Sequence, residues 1–122
     1  EMTLVNSSPA RGADRGIEAL VARGTDERWH VPCKRCRSFF ALDYEKVFRF
    51  DPKGTPEDAA HTARVVCPWC ECPHDGADKP ALMRAGAWVG AEQSIDADGV
   101  VQGELRGGSI ASFRVDGLMG FA

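Results

Sequence analysis

The residue pattern predicts a small α+β fold, built of short antiparallel β hairpins with one or two short helices. Three observations carry that prediction. Four cysteines stand in two matched C-x-x-C pairs, Cys33-Lys34-Arg35-Cys36 and Cys67-Pro68-Trp69-Cys70, with residues 37–66 between them. The 122 residues include 13 glycines and 7 prolines, so the chain is punctuated by turns. No apolar periodic segment runs long, yet a hydrophobic fraction of 43% still provides a core. A chain of this size buries about two-thirds of its unfolded surface.

The elements follow in order. Thr3–Val5 reads as a strand end stopped by Asn6-Ser7-Ser8-Pro9. Ile17, Leu20 and Val21 fall at i, i+3 and i+4, which predicts two helical turns over Ile17–Arg23, stopped at Gly24. Arg28–Pro32 is a short strand entering the first cysteine pair, and Pro32 suits its last position because it donates nothing to a ladder. Ser38–Leu42 and Tyr44–Phe50 are aromatic and β-branched enough for strands. Residues 51–56 are a loop by composition, with His61 assigned to the same connection. Thr62–Val66 is the strand that delivers Cys67.

Beyond the second pair, Asp78 is a candidate cap for a helix over Lys79–Ala85, with Pro80 tolerated in its first turn and Gly86 at its end. Ala87–Val89 leads out as a strand. Ile95–Gly108 is a flexible hairpin or loop, and Ser109–Val115 closes as a strand. Three regions result: 1–27, a strand and helix leading in; 28–90, a zinc-ribbon-like domain; and 91–122, a loop and strand leading out. The chain opens Glu1-Met2-Thr3-Leu4-Val5, which reads as a piece of a longer protein.

Each cysteine pair sits where a strand ends in a turn. Two residues between thiolates let a tight turn aim both sulfurs at one tetrahedral ion. Two such knuckles facing one another define a zinc ribbon, with Cys33, Cys36, Cys67 and Cys70 as ligands and one structural zinc per chain. Four thiolates close the shell, so the site is structural and not hydrolytic.

A redox dithiol would place one C-x-x-C at a helix N-terminus in a βαβ unit, and neither pair opens a helix. Two disulfides fit poorly with five cysteines and no secretory signal, which favour a reducing, intracellular setting. Cys72 stands two residues past the proposed fourth ligand, as its replacement or, more simply, a free thiol. His30 and His74 flank the cluster as substitute ligands or as neighbouring imidazoles.

The net charge of −3 argues against a wholly basic nucleic-acid binder. Positive charge nevertheless gathers around the first pair and the strands leading to the second: Arg28, Lys34, Arg35, Arg37, Arg49 and Arg64. Lys34, Arg35, Arg37 and Trp69 are therefore candidate nucleic-acid contacts, against the plainer reading of a solvated basic surface. Trp29 and Trp88 are expected to pack. The sequence contains no G-x-x-x-x-G-K-[ST], no H-E-x-x-H and no nucleophile elbow. No apolar run of membrane-spanning length is present either.

The order of short motifs resembles the large terminase subunit of tailed bacteriophages, the GpA-like family. Asn6-Ser7-Ser8-Pro9, Ile17-Glu18-Ala19-Leu20, and Asp26 through Cys36 follow its pattern, the last reading D-x-R-x-x-V-P-C-x-x-C here. Val66-Cys67-Pro68-Trp69-Cys70 matches its second cysteine pair. Lys79 with Leu82–Val89 resembles K-x-x-M-L-x-x-G-x-W, and Ser112–Leu118 resembles a closing F-H-I-x-G-L. Departures are Arg37 and Glu71, where glycine is usual, the extra Cys72, and Arg114 in place of histidine.

The resemblance implies an internal segment between an ATPase that drives DNA into a capsid and an endonuclease that cuts concatemers. It implies, as partners, the rest of the large subunit, the small terminase subunit, the portal and double-stranded DNA, in the host cytoplasm. The alternative is a stand-alone zinc-ribbon module that binds nucleic acid or protein.

Overall fold

The computed structural model describes residues 16–106 and 110–115. The predicted strand end at Thr3–Val5, the Ser7-Ser8-Pro9 turn and Asp116-Gly117-Leu118 lie outside them. In chain order the elements are α1 (Gly16–Arg23), β1 (Glu27–Pro32), β2 (Phe39–Ala41), α2 (Tyr44–Val47), β3 (Phe48–Arg49), α3 (Pro56–Thr62), β4 (Arg64–Val66), β5 (Pro73–His74), α4 (Lys79–Arg84), β6 (Ala87–Val89), β7 (Ser94–Ile95), β8 (Val101–Gln102) and β9 (Phe113–Arg114). This is the small α+β class, with antiparallel hairpins and short helices. No helix among the described residues is long and apolar enough to cross a membrane.

β1 is the organising strand. β2 pairs with it antiparallel, Val31 opposite Phe40, and β6 pairs antiparallel at Arg28 to His30. β9 pairs parallel at Glu27 and Arg28, along the edge that β6 leaves open. A second sheet runs β3-β4-β5, all antiparallel, and β7-β8 form a separate hairpin. The core lies where β1, β2, α2, α4 and both cysteine turns meet: Val31, Phe40, Leu42, Val47 and Leu82, joined by Cys33, Cys67 and Cys72. The sulfur atoms are thus part of the hydrophobic interior and not an appendage to it.

Two predicted elements need correction. Tyr44–Phe50 is not one strand: Tyr44–Val47 makes a helical turn first, with Lys46 and Val47 N–H groups donating to the Asp43 carbonyl at 3.0 Å each. The turn drops Val47 into the core and leaves Tyr44, Glu45 and Lys46 outside, which a straight strand would not do. The connection after Pro52 also holds α3, so His61 is helical. Thr55 and Asp58 form a reciprocal capping box, Asp58 N–H donating to Thr55 Oγ1 at 3.2 Å and Thr55 N–H to Asp58 Oδ2 at 3.0 Å. Pro56 opens the helix where its missing N–H costs nothing.

Asp78 stands at the start of α4, as expected, but makes no side-chain cap. Its Oδ2 instead accepts from Lys34 Nζ at 2.8 Å and from Asp75 N–H at 3.1 Å. The capping carboxylate is diverted to tie α4 to the first cysteine turn.

The segment carrying β9 is clasped to the α1–β1 junction. Thr25 N–H donates to the Ile110 carbonyl (3.1 Å), Glu27 N–H to the Ser112 carbonyl (2.8 Å), and Asp26 N–H to Ser112 Oγ (2.7 Å). Arg114 closes the clasp on Asp26 at 2.6 Å. Gly24 is required here, because a Cβ would lie 2.5 Å from Ser112 Oγ and 2.9 Å from the Ile110 carbonyl oxygen. On the sheet, Trp29 meets Trp88 edge-to-face at 5.2 Å and Trp88 meets Phe113 at 5.0 Å. Trp29 and Trp88 therefore pack, as expected.

Candidate metal centre

The two C-x-x-C turns have the same backbone wiring. Arg37 N–H donates to the Cys33 carbonyl at 3.0 Å, and Glu71 N–H to the Cys67 carbonyl at 2.9 Å. Cys33 N–H returns to the Ser38 carbonyl at 3.0 Å, and Cys67 N–H to the Cys72 carbonyl at 3.1 Å. Each turn thus links antiparallel strands, β1 to β2 and β4 to β5, and throws both of its sulfurs to one side. Cys72 is the equivalent of Ser38, a position that closes the turn and not one that fills the shell.

The four sulfurs converge. Cys33 Sγ lies 3.5 Å from Cys70 Sγ, and Cys36 Sγ 3.7 Å from Cys67 Sγ. All four lie within 4.8 Å of one another. A tetrahedral ion with metal–sulfur bonds of about 2.3 Å sets sulfur–sulfur edges of roughly 3.8 Å. The cage has the size of that tetrahedron, so Cys33, Cys36, Cys67 and Cys70 can hold one metal ion with no position left for water.

Backbone amides stabilise the thiolates. Arg35 N–H points at Cys33 Sγ at 3.4 Å. The Ser38 amide draws the Cys36 thiol down to about 6. Burial works the other way on the second turn, raising Cys70 and pushing Cys67 up to about 12, despite amides aimed at both sulfurs.

These directions carry a sign. A thiol lowered by the fold, as in Cys36, stabilises the metal-free fold above its ordinary value of 9.0, a contribution lost as pH falls through about 6. Thiols raised by burial must release their protons to solvent as they bind the ion. Metal uptake at pH 7 is therefore expected to release protons from at least Cys67 and Cys70, and affinity to fall steeply on acidification. Calorimetric titration of the metal in buffers of different ionisation enthalpy measures that release.

The candidate contact residues surround this cage. Trp69 is 69% exposed, and its Nε1 donates to the Phe39 carbonyl at 3.1 Å, so the ring reaches across to the other turn. Arg35 and Arg37 are exposed, and their guanidinium groups have no carboxylate partner among the described residues. Lys34 is engaged with Asp78, and Arg28 with Asp43 at 3.7 Å. Arg49 and Arg64 lie opposite each other on β3 and β4. His30 sits on β1 with Nδ1 3.0 Å from the Arg28 carbonyl, and burial lowers its pKa. It joins no ligand cluster among the described residues.

The sequence profile of the family described as phage terminase large subunit gpA, ATPase domain, matches residues 1–88, both cysteine pairs included. The chain belongs to this terminase family. No curated protein and no solved structure matches it.

Within this terminase chain the departures from the family pattern have physical consequences. Arg37 and Glu71 stand where the turn demands a left-handed backbone, with φ of 66° and 62°. The turns keep their geometry without glycine, at a cost of about 1 kcal/mol or more per site. Glu71→Gly is expected to stabilise the fold by roughly 0.5–1 kcal/mol after the glycine's own chain-entropy cost. A rise in thermal midpoint checks this, and a fall would mean that Glu71 makes a favourable contact.

Sequence reasoning flagged His74 as a substitute ligand or neighbouring imidazole, but missed the long-range contacts that it and two ion pairs make. His74 is 1% exposed, its Nε2 receives the Lys34 N–H at 3.1 Å, and its Nδ1 lies 3.3 Å from the Val65 carbonyl oxygen. It bolts one turn to the other across 40 residues. Lys34–Asp78 and Asp26–Arg114 do the same for α4 and for β9. Spacing carries no signal for these long-range pairs.

Proposed function

We propose that this chain is the structural zinc-binding segment of a phage DNA-packaging terminase large subunit, set between its ATPase and nuclease. The observation that carries the proposal is the family match running through a complete four-thiolate cage. Zinc is the ion of choice: it accepts tetrahedral sulfur ligation, has no redox chemistry, and fits a closed structural shell. The ion holds the two turns face to face, and the chemistry of the parent protein, ATP-driven DNA translocation and cutting of concatemers, resides in residues other than these.

The three regions, 1–27, 28–90 and 91–122, act as lead-in, zinc ribbon and lead-out. The clasp of Ser112 and Arg114 onto Thr25–Glu27 supports a mechanical role, because movement at either end reaches the other through β1. Partners in this reading are the remainder of the large subunit, the small terminase subunit and the portal, in the host cytoplasm. Arg35, Arg37 and Trp69, with Lys34 beside them, offer a face to duplex DNA.

Two assays test the proposal. The purified chain is expected neither to hydrolyse ATP nor to cut DNA, and either activity would refute it. Duplex binding that weakens steeply with salt and drops in Arg35→Ala or Arg37→Ala would establish the DNA face. Absence of binding at modest salt would leave a linker that contacts protein alone.

A further inference from the structure

A second cluster of metal-ligating groups lies beside the four-thiolate cage. Cys33, Cys72 and His74 each bring one donor atom to within 4.8 Å of the others. All three are buried, at 1%, 6% and 1% exposure. Among the described residues the Cys72 thiol makes one weak hydrogen bond, 3.7 Å to the Pro73 carbonyl. The imidazole is held as ligating histidines are held: one ring nitrogen, Nδ1, faces a backbone carbonyl, which directs the lone pair of Nε2 outward. That lone pair now receives the Lys34 amide beside Cys33.

The geometry points to a second, weaker metal position formed by Cys33, Cys72 and His74, suited to a thiophilic ion such as Cd(II), with the Cys33 sulfur bridging two ions. Two thiolates and an imidazole select soft ions over Mg²⁺ or Ca²⁺. Charge favours occupancy as well. A divalent ion with four thiolates is a buried unit of net charge −2, and a second divalent ion arriving with one more thiolate reduces it to −1. Loading releases the Cys72 proton to solvent as the metal–sulfur bond forms, and His74 exchanges the Lys34 amide for the ion. The position is weaker than the first because it adds only one new thiolate and disturbs an existing hydrogen bond.

This inference rests on the four-thiolate reading through the shared Cys33 and through the charge of the loaded cage. The test is titration of Cd(II) into the full chain, following thiolate-to-cadmium charge-transfer absorption and the metal retained after desalting. Wild type is expected to bind two ions in sequence. Cys72→Ser and Cys72→Ala are expected to bind one, with an unchanged circular dichroism spectrum. Saturation of wild type at one ion overturns the second site and leaves the first intact. Two ions in both Cys72 variants overturns the ligand assignment, and no bound ion overturns both sites.

Discussion

Replacing Cys67 with serine is expected to abolish the folded state together with metal binding. Cys67 is fully buried and belongs to the same core cluster as Val31, Phe40 and Leu82. Serine offers neither a thiolate nor the apolar bulk of sulfur. A structural zinc contributes ~10 kcal/mol or more in small zinc domains. Whole domains are stable by only about 5–15 kcal/mol. Loss of the metal's contribution therefore removes most or all of the margin. Loss of cooperative thermal unfolding, with metal content near zero, is the expected readout. Cys72→Ser is the control, since it removes a buried thiol outside the four-sulfur cage and should keep both the fold and the first ion. A folded, metal-loaded Cys67→Ser protein would remove Cys67 from the ligand set.

The second large effect is expected at Gly86. A Cβ there would sit 2.3 Å from Trp29 Nε1, 2.5 Å from Trp29 Cε2 and 2.7 Å from the His30 carbonyl oxygen. The indole could swing away only by breaking its edge-to-face contact with Trp88, and the carbonyl belongs to the central strand and cannot move independently. Gly86→Ala is thus an overpacking substitution, with an expected cost of about 3 kcal/mol, at the upper end of such changes. For a chain of this size that corresponds to a fall of roughly 10 °C or more in thermal midpoint. Gly76→Ala is the matched control, because nothing lies within 4 Å of the added carbon and the midpoint should barely change. Equal behaviour of the two variants would contradict the close approach of Trp29 to the backbone at Gly86.

The parts of this fold that are readable from sequence are those with local causes. The spacing within each C-x-x-C pair dictates the turn, and with it the position of the two knuckles and of the strands that enter them. The i, i+3, i+4 pattern of Ile17, Leu20 and Val21 likewise marks α1. α3 buries no residue and so has no amphipathic signature, but its cap is written locally as Thr55-Pro56-Glu57-Asp58. That local signal competes with the proline and glycine around it, which read as loop.

The strand expected over Tyr44–Phe50 fails for a different reason. Aromatic and β-branched content measures fit to a half-buried pleated surface, whereas here the core needs Val47 alone from its turn. The long-range connections are not legible at all. Nothing in the spacing of Asp26 and Arg114, or of Lys34, His74 and Asp78, announces that they meet. At the candidate metal centre the four cysteines that converge are plain in the sequence. The equivalence of Cys72 with Ser38, and the left-handed backbone at Arg37 and Glu71, become visible only in the backbone itself.

The central claim is that one tetrahedral ion, held by Cys33, Cys36, Cys67 and Cys70, keeps this terminase segment folded. Elemental analysis of the purified chain, paired with circular dichroism before and after a strong chelator, tests it most directly. The expected result is about one zinc per chain, cooperative loss of structure as the ion is removed, and recovery when one equivalent is restored. A metal-free chain that is already folded, or one that keeps its spectrum unchanged through chelation, would contradict the claim.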